Sequence, residues 1–511
     1  MKRAPWFAVL AVLLASCAEA KVYEVPPVTV ALPTSPRAGD ESPMTKKLDL
    51  VESVHGTRVA DPYRWLENGD APDVRAWSDN ENAHTRKLLD ALPGREALRS
   101  QVKDLLQIGY VGAPAVRTTR AGGQRYFHTK REGTQNQPQL LVRDGTGGKD
   151  RVLLDVSTLS EDGTTALDWW HASRDGALLA WGRSDAGSEE STLHVRDVGT
   201  GKDLVDTIAH TRHASVAWLP DGKSFYYSRY PESGSVPPGD EKYFAKIYLH
   251  LLGQDAKIDK LVFGDHRDRT DTPIVSISPD GRWLVVRVHM GWDKSEVWIK
   301  DLTKTDPGAP VGWVAVAKGA HAVFEPIARN DRLYVQTNDG APRYKLYAVE
   351  YDKVERAQWK ELVPEGADVL DDVAILKNEI VTTYMHEAST RIERFGFDGK
   401  SHGPIALPGI GSGGVSGAFD GEDLFVSYTS YVVPAQIHHV DLRARPPVRL
   451  PRSSSPGTRS ARSFRPSTSR SSASTPPRRM ARRCPCSSSP RRACERKART
   501  RRCSTGTAAS T

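Results

Sequence analysis

The chain has 511 residues, of which 38% are hydrophobic and 26% charged, and these values are typical of a soluble globular protein. The formal net charge of +8 does not describe the main body, because the basic residues are concentrated near the C-terminus. The segment from Arg449 to Thr511 contains 17 Lys or Arg and one acidic residue, Glu495, which leaves 54 basic and 62 acidic residues elsewhere. The main body is therefore acidic, and the high pI does not support a nucleic-acid partner for it.

The five cysteines divide in the same way. Cys17 lies near the N-terminus, and the other four lie near the C-terminus, at Cys484, Cys486, Cys494 and Cys503. None lies between Ala18 and Pro451. The body therefore needs no disulfide and suits any redox compartment.

The first 20 residues have the pattern of an export signal. Met1 to Arg3 is basic, and Trp6 to Ala15 is an apolar run that is too short to span a bilayer. Leu14 to Cys17 resembles a bacterial lipobox, in which Cys17 is lipidated, and the alternative is cleavage after Ala18-Glu19-Ala20. We expect an exported protein of a bacterium, periplasmic or an outer-membrane lipoprotein, with a proline-containing linker over residues 21–47.

Residues 48–115 are predicted to form an α-helical arm. Asp61 can cap a helix whose first residue is Pro62. Pro93-Gly94 interrupts the helical pattern, and the stretch after it places four apolar side chains on one helical face: Leu98, Val102, Leu105 and Leu106. This face must be buried against the arm's own domain or against a separate domain, and the sequence leaves both open.

Residues 116–442 are predicted to form a seven-bladed β-propeller. Tight polar turns, each followed by a short apolar strand, recur about every 50 residues, at Gly122-Gly123, Asp175-Gly176, Asp221-Gly222, Asp280-Gly281, Asn330-Asp331, Asn378-Glu379 and Asp420-Gly421. This period indicates propeller blades of four strands. Asp-Gly suits hairpin turns in which both central residues have positive φ. The alternative, an array of β-sandwiches, has a period about twice as long.

The sequence offers no convincing catalytic site. Gly411 to Gly417 is the one stretch similar to a nucleophile elbow, but no hydrolase sheet precedes it and no Asp/His pair follows it in the right context. We interpret it as a glycine-rich propeller loop, and His438-His439 as structural. No zinc-protease, P-loop or Rossmann motif occurs. We therefore predict no catalytic residue, no metal ligand and no cofactor for this chain.

Several motifs occur in order between about Leu48 and Leu442: His55-Gly56, Val59 to Glu67, Gln135-Asn136-Gln137, Leu159 to Thr164, Ser228-Arg229-Tyr230, and Tyr428 to Tyr431 followed by Pro434. In this order they resemble the prolyl oligopeptidase family of serine peptidases. The resemblance implies that the arm packs on an α/β-hydrolase domain and that the propeller covers the active site and admits short peptides. It also implies a hydrolase domain after the propeller, with Ser, Asp and His, that cleaves after proline. We find no such domain in the sequence.

After Leu442 the sequence changes to Arg, Ser, Pro and Thr, which predicts a low-complexity, disordered basic tail over residues 443–511. Three interpretations of this segment are open. It could be a basic tail that binds anions or nucleic acid, a wall-associated linker, or a hydrolase domain translated in the wrong reading frame. A shifted frame permits D-G-T-K-V-P-M-F-L-V over Met480 to Ser489 and L-Y-G-Y-G-G-F-N over Cys503 to Thr511. Both strings resemble the start of the family's catalytic domain, so we favour the frameshift.

The resemblance predicts a prolyl oligopeptidase-like serine endopeptidase that hydrolyses short proline-containing peptides. As written, the chain is predicted to hold the arm and the propeller only and to be inactive. The alternative is a non-catalytic propeller that binds a partner at the cell envelope. A nucleic-acid partner is rejected, because an exported protein rarely meets nucleic acid and the tail has almost no aromatic residues for stacking. The expected partners are short peptides and a membrane, the latter through a lipid on Cys17.

Overall fold

The computed structural model describes residues 42–443 and 448–450. The predicted signal peptide with Cys17, most of the linker and nearly all of the predicted tail lie outside the described residues. The described chain consists of an arm followed by a ring of seven β-sheets, which are the blades of a propeller. The predicted seven-bladed β-propeller with an N-terminal arm that contains helices is confirmed.

The arm contains a hairpin and two helices. Its elements in chain order are β1 (Val51–Val54), β2 (Thr57–Ala60), a 3-10 turn (Arg64–Glu67), α1 (Pro72–Asp90) and α2 (Arg95–Leu106). The hairpin is antiparallel and turns at His55 and Gly56, whose φ values are 50° and 80°. The arm is therefore helical only from Pro72 onward, because the alternating sequence before it pairs as strands.

The predicted helix start at Asp61 is wrong. A single 3-10 turn with Tyr63 at its N-cap follows Asp61, whose carboxylate accepts a 2.6 Å hydrogen bond from Arg64 Nε instead of capping a helix. Proline does occupy the first turn of a helix, but at Pro72 in α1. The tryptophans of the two segments, Trp65 and Trp77, pack edge to face with ring centroids 6.3 Å apart and join the 3-10 turn to α1.

The first four blades occupy residues 110–317. Blade 1 has an interrupted first strand and contains β3 (Tyr110–Val111), β4 (Ala115–Thr118), β5 (Gln124–Arg131), β6 (Gln139–Asp144) and β7 (Arg151–Leu154). Blade 2 contains β8 (Ala166–Ala172), β9 (Leu178–Ser184), β10 (Thr192–Asp197) and β11 (Asp203–Ile208). Blade 3 contains β12 (Val216–Trp218), β13 (Ser224–Arg229), β14 (Lys246–Leu251) and β15 (Lys260–Phe263). Blade 4 contains β16 (Thr272–Ile277), β17 (Trp283–His289), β18 (Ser295–Asp301) and β19 (Trp313–Ala317).

The last three blades complete the ring. Blade 5 contains β20 (Phe324–Ala328), β21 (Arg332–Thr337), β22 (Lys345–Glu350) and β23 (Lys360–Val363). Blade 6 contains β24 (Val369–Ile375), β25 (Ile380–His386), β26 (Ser389–Phe395) and β27 (Ser401–Ala406). Blade 7 contains β28 (Ser412–Gly417), β29 (Asp423–Ser430) and β30 (Val433–Asp441). Within each blade, consecutive strands pair antiparallel, except that β3 and β4 of blade 1 both pair with β5.

Two predicted boundaries differ from the structure. The predicted arm extends to residue 115, but β3 and the start of β4 already pair with β5 in blade 1. The predicted tail begins at residue 443, but β31 (Val448–Arg449) pairs in parallel with β27 at the edge of blade 6. In both places a strand of two to four residues joins a sheet formed by other parts of the chain, and such a short strand leaves no periodic signal in the sequence.

All seven predicted turns join the first long strand of a blade to the second. Asp175, Asp221 and Asp280 do not have the positive φ that was expected of them, and only the glycine after each does, with φ of 65°, 65° and 78°. Asp175 illustrates the role of these aspartates: its Oδ1 accepts hydrogen bonds from Ser173 Oγ at 2.8 Å and from Ala177 N at 3.0 Å. The carboxylate therefore stabilises the turn by local hydrogen bonds, which is the usual role of aspartate in turns.

The hydrophobic core is divided into seven clusters among the described residues, one at each seam between neighbouring blades. Side chains along a strand alternate between the two seams: Leu284 and Val286 face blade 3, whereas Trp283 and Val285 face blade 5. Because both faces of each sheet are buried, the strands are apolar at consecutive positions rather than at every second one.

The seam between blades 7 and 1 closes the ring without a strand shared between the described parts of the two blades. Its buried cluster is small and consists of Val116, Tyr126, Ala418 and Phe425. The rings of Tyr126 and Phe425 meet edge to face at 5.8 Å. Hydrogen bonds across the seam include those from Ser416 Oγ to Pro114 O at 3.2 Å and from Thr118 Oγ1 to Asp420 Oδ2 at 2.8 Å.

The glycine-rich stretch before the last turn is a strand, β28, and not the loop that we predicted. Its glycines allow close packing against neighbouring backbone. A Cβ on Gly417 would lie 2.8 Å from Asp423 O, and one on Gly411, just before the strand, would lie 2.3 Å from Thr429 O. Gly411 also accepts a 2.9 Å hydrogen bond from Thr390 N of blade 6. The glycines therefore serve packing between β28, its own blade and blade 6.

We predict that Gly411→Ala destabilises the fold by about 1–3 kcal/mol, because a methyl group there overlaps a carbonyl oxygen that cannot move without breaking blade 7. Gly147→Ala is the matched control, since a Cβ at Gly147 has no neighbour within 4 Å. Urea denaturation followed by tryptophan fluorescence measures both variants. Equal midpoints for the two variants would contradict the packing role of Gly411.

Candidate docking face and channel mouth

The propeller has two chemically different faces. Because strands alternate in direction, the turns between first and second strands lie on one face, and the second-to-third and blade-to-blade connections lie on the other. The arm joins the second of these faces. Arg131, at the end of β5, donates hydrogen bonds to the last residue of α2, at Leu106 O (3.0 Å), and to Ile108 O just after it (3.2 Å). We call this the arm face.

The backbones of the arm and the propeller approach each other closely at their junction. An added Cβ on Gly133 would lie 1.9 Å from Gln107 O, so only glycine fits in the connection between β5 and β6 at this point. Next to it, the guanidinium of Arg131 lies 5.9 Å from the ring centroid of Tyr110. These contacts hold the C-terminal end of α2 against blade 1.

The two helices bury few of their side chains. Val74 is the single buried residue of α1, and α2 has none. The predicted apolar stripe of α2 is exposed, with Leu98 at 45%, Leu105 at 63% and Leu106 at 64% of their surface accessible. The sequence left open whether this stripe packs against the arm's own domain or against a separate domain. Because the stripe is exposed, it does not pack against its own domain within the described residues. Exposed apolar side chains in one continuous row mark a surface that meets another molecule or domain.

The arm face carries further exposed apolar groups. Tyr431 and Val432 form the turn between β29 and β30, Trp292 lies in the turn between β17 and β18, and Ile410 precedes β28. All four are more than four-fifths exposed, at 109%, 86%, 102% and 87%. Together with α2 they give this face an apolar character.

The motifs that resemble the prolyl oligopeptidase family lie on the arm or at the arm face. Gln135 to Gln137 lie in the connection between β5 and β6, and Leu159 to Thr164 lie in the connection from blade 1 to blade 2. Ser228 to Tyr230 lie at the end of β13, where Tyr230 N donates a 2.9 Å hydrogen bond to His210 O in the connection from blade 2 to blade 3. The sequence motifs and the apolar surface therefore coincide.

On the opposite face, one aromatic ring narrows the centre of the propeller. Phe419, in the first turn of blade 7, lies between two cations, with its ring centroid 5.2 Å from the guanidinium of Arg174 in blade 2 and 5.1 Å from that of Arg329 in blade 5. Arg329 also donates a 2.9 Å hydrogen bond to Phe419 O. Turns from blades 2, 5 and 7 can meet only at the axis, so the first strands of the blades line the central channel and Phe419 narrows its mouth.

The channel mouth is electrostatically balanced. A cavity of ≈ 270 Å³ beside Phe419 is lined by two cations, Arg329 and Lys377, and by two carboxylates, Asp331 and Asp420. Burial lowers the pKa of both Arg174 and Arg329, and the charge of Asp420 opposes this shift. Along the channel wall, burial lowers the pKa of His171 to about 4, so its ring is neutral at physiological pH. The mouth therefore combines charged groups with no large net charge.

Two of the residues that the sequence suggested for chemistry have structural hydrogen bonds. Ser416 in β28 donates its hydroxyl to Pro114 O across the seam of blades 7 and 1. His439 Nε2 lies 2.7 Å from Asp423 Oδ1 within blade 7. Burial lowers the pKa of His438, whose Nε2 has no hydrogen-bond partner among the described residues. Among residues 42–443 and 448–450, no group of three His, Cys, Asp or Glu is arranged to hold a metal ion. No helix in the same part of the chain is long and apolar enough to cross a membrane.

Comparisons with known proteins agree with this architecture. The family model described as prolyl oligopeptidase, N-terminal beta-propeller domain, matches residues 43–446. A prolyl endopeptidase from Elizabethkingia meningoseptica is 31% identical over 401 residues, which cover 77% of this chain and 55% of that protein. Prolyl oligopeptidase A from Galerina marginata is 26% identical over 436 residues, which cover 79% of this chain and 58% of that protein. The chain spans little more than half the length of these curated relatives.

Solved structures lead to the same family. One from a structural and mechanistic analysis of two prolyl endopeptidases superimposes with a TM-score of 0.73 at 33% identity and covers 79% of this chain and 58% of that one. Prolyl oligopeptidase B from Galerina marginata, bound to a hydrolysis and macrocyclization substrate, superimposes with a TM-score of 0.71 at 21% identity, which shows the shared fold alone, over 80% of this chain and 60% of that one. The chain therefore belongs to the prolyl oligopeptidase family and contains its N-terminal β-propeller domain.

Proposed function

We propose that this chain is the arm and propeller of a prolyl oligopeptidase-type serine endopeptidase, and that its arm face docks an α/β-hydrolase domain. The observation that carries the proposal is the exposed stripe of α2, because four apolar side chains in one row have no partner cluster among the described residues. Tyr431, Val432, Trp292 and Ile410 extend this apolar surface over the same face. In this arrangement the propeller covers the active site and limits access to short peptides, while the docked domain supplies Ser, Asp and His.

The second part of the proposal concerns the residues after Leu442. The composition changes there from mixed to Arg, Ser, Pro and Thr, and a shift of reading frame permits two strings similar to the start of the family's catalytic domain. We attribute the change to a frameshift. As written, the chain then has no nucleophile and no general base, and it does not hydrolyse peptides.

The coding DNA tests the frameshift directly. We expect the shifted frame across codons 440 to 511 to encode a continuous hydrolase domain, with a G-x-S-x-G nucleophile elbow farther on. The protein corrected to that frame is expected to hydrolyse a chromogenic proline-containing peptide and to be blocked by a serine-reactive inhibitor, whereas the chain as written shows no turnover. Inhibitor-sensitive turnover by the chain as written would refute the proposal, as would a shifted frame without the elbow.

The docking role of the arm predicts a selective effect of polar substitutions. Leu105→Gln with Leu106→Gln should abolish most activity of the frame-corrected enzyme while leaving the urea midpoint of the chain as written unchanged, because both side chains are more than half exposed. Val205→Gln, on the outer strand of blade 2 and 83% exposed, is the matched control and should retain activity.

The double variant Leu105→Gln, Leu106→Gln also distinguishes the hypothesis of a propeller that lacks its hydrolase domain from the hypothesis of a stand-alone binding module. In the chain as written, the native α2 stripe should bind a hydrophobic dye and promote self-association in sedimentation velocity, and the double variant should reduce both. A native chain that is monodisperse and binds no dye would favour the envelope-binding module.

We propose that the protein is exported and carries a lipid on Cys17. In bacteria fed radiolabelled palmitate, the native protein should be labelled and should sediment with membranes, and Cys17→Ser should lose both properties. Unlabelled, soluble protein that begins at Lys21 would instead support cleavage after Ala20 and contradict the lipid anchor.

A further inference from the structure

A buried histidine joins blades 2 and 3. His250, on β14, lies with its Nε2 3.0 Å from Asp206 Oδ1 on β11 of blade 2. Its Nδ1 lies 2.9 Å from Asp259 Oδ1, just before β15 of blade 3. The side chains of the three residues are 0%, 1% and 1% exposed, respectively.

The geometry requires a proton on both ring nitrogens. A carboxylate is only an acceptor, and neutral imidazole has one N–H, so a neutral His250 would point a lone pair at one of the two carboxylates. The imidazolium instead donates to both. In this state the site holds one cation between two anions, and the desolvation that burial imposes on these charges is offset by their pairing.

Other groups complete the hydrogen bonding around the carboxylates. The hydroxyl of Tyr227, on β13, donates to Asp259 Oδ2 at 2.7 Å, and Gly253 N donates to Asp206 Oδ1 at 2.5 Å. These bonds occupy other lone pairs of the two carboxylates and orient both toward the imidazole ring.

The charged groups nearby do not replace the imidazolium. Arg229 on β13 lies over the ring of Tyr248 at 4.4 Å and donates toward Ala256 O, and Lys257 and Asp255 on the adjacent 3-10 turn are exposed. On the apolar side, the ring of Phe225 lies 5.1 Å from that of His250. Among the described residues, His250 is therefore the cation that pairs with both buried carboxylates.

We infer that this site is a pH-sensitive lock on the seam between blades 2 and 3, closed while His250 carries both protons and loosened when one is lost. The seam's apolar cluster, which includes Ile208 and Tyr227, lies beside the lock. Ile208, two residues after Asp206, ends β11 and begins the connection to blade 3 on the arm face. The lock therefore couples the protonation of one buried group to the packing of two blades.

The direction of the effect follows from linkage. The hydrogen bonds to Asp259 and Asp206 raise the pKa of His250 above its usual value, against the opposing effect of burial. The stabilisation is therefore fully present below the unfolded-state pKa of about 6.5 and is lost as the pH rises through the higher pKa of the folded state. Stability from this site decreases toward alkaline pH.

Urea denaturation of the whole chain from pH 6 to pH 10 tests the lock. The native protein should have a clearly higher midpoint than His250→Gln at pH 6, and the gap should narrow as the pH rises. His386→Gln is the matched control, because His386 also pairs with an aspartate, at 2.9 Å from Asp368, but is half exposed and should shift the midpoint little at any pH. A gap between native and His250→Gln that is constant or widens with pH would overturn the inference.

A second measurement does not depend on the stability of the variant. The ring proton signals of His250 in the native chain should titrate with an apparent pKa above 6.5, and Asp206→Asn should lower that value. Amide exchange, corrected for its intrinsic pH dependence, should increase in β11 and β14 between pH 6 and pH 9 more than in β21 and β22 of blade 5. A titration below 6.5, or equal changes in the two pairs of strands, would refute the lock.

Discussion

The structure depends on closing a ring of sheets that must each bury two faces. A single blade exposes apolar side chains on both sides and gains its stability only from the blades beside it, so the fold requires every seam to be filled. Among the described residues, each of the seven seams has its own cluster. The seam of blades 7 and 1 has the smallest of these clusters, and Tyr126 and Phe425 provide its main contact.

Ring closure also explains the chemistry of the two faces. On one face the first turns converge on the axis, where Phe419 is held by Arg174 and Arg329 from distant blades. This contact links blades that are not neighbours and adds to a closure that has few apolar residues. On the arm face apolar groups are exposed, which suits a surface completed by another domain.

Several buried polar groups within the seams are paired. His250 joins blades 2 and 3 through two carboxylates, and Arg394 in blade 6 bonds to Glu379 and to Leu442 O at 2.7 Å, where the chain leaves blade 7. Buried polar groups of this kind are stable only when all their partners are present. Such pairs therefore make the packing of particular blades specific. They also make the stability of those seams sensitive to protonation or to the loss of a partner.

Much of the architecture could be predicted from the sequence, because a propeller repeats one local pattern. The seven turns, the apolar strands after them and the amphipathic face of α2 are local features, and their residues lie where the sequence placed them. The local predictions failed where the same residues suit two conformations. Asp61 forms an ion pair instead of a helix cap, and the glycine-rich β28 forms a strand because its neighbours leave no room for a Cβ.

Contacts between distant parts of the chain were decided by the tertiary structure alone. No pattern in the sequence relates Phe419 to Arg174 and Arg329, or His250 to Asp206, because these residues meet only after the ring has closed. The exposure of Leu105 and Leu106 likewise depends on which surfaces the folded blades present to the arm. Periodicity in the sequence thus determined the repeated blade and its number, whereas ring closure decided which side chains meet across seams and which remain free to bind.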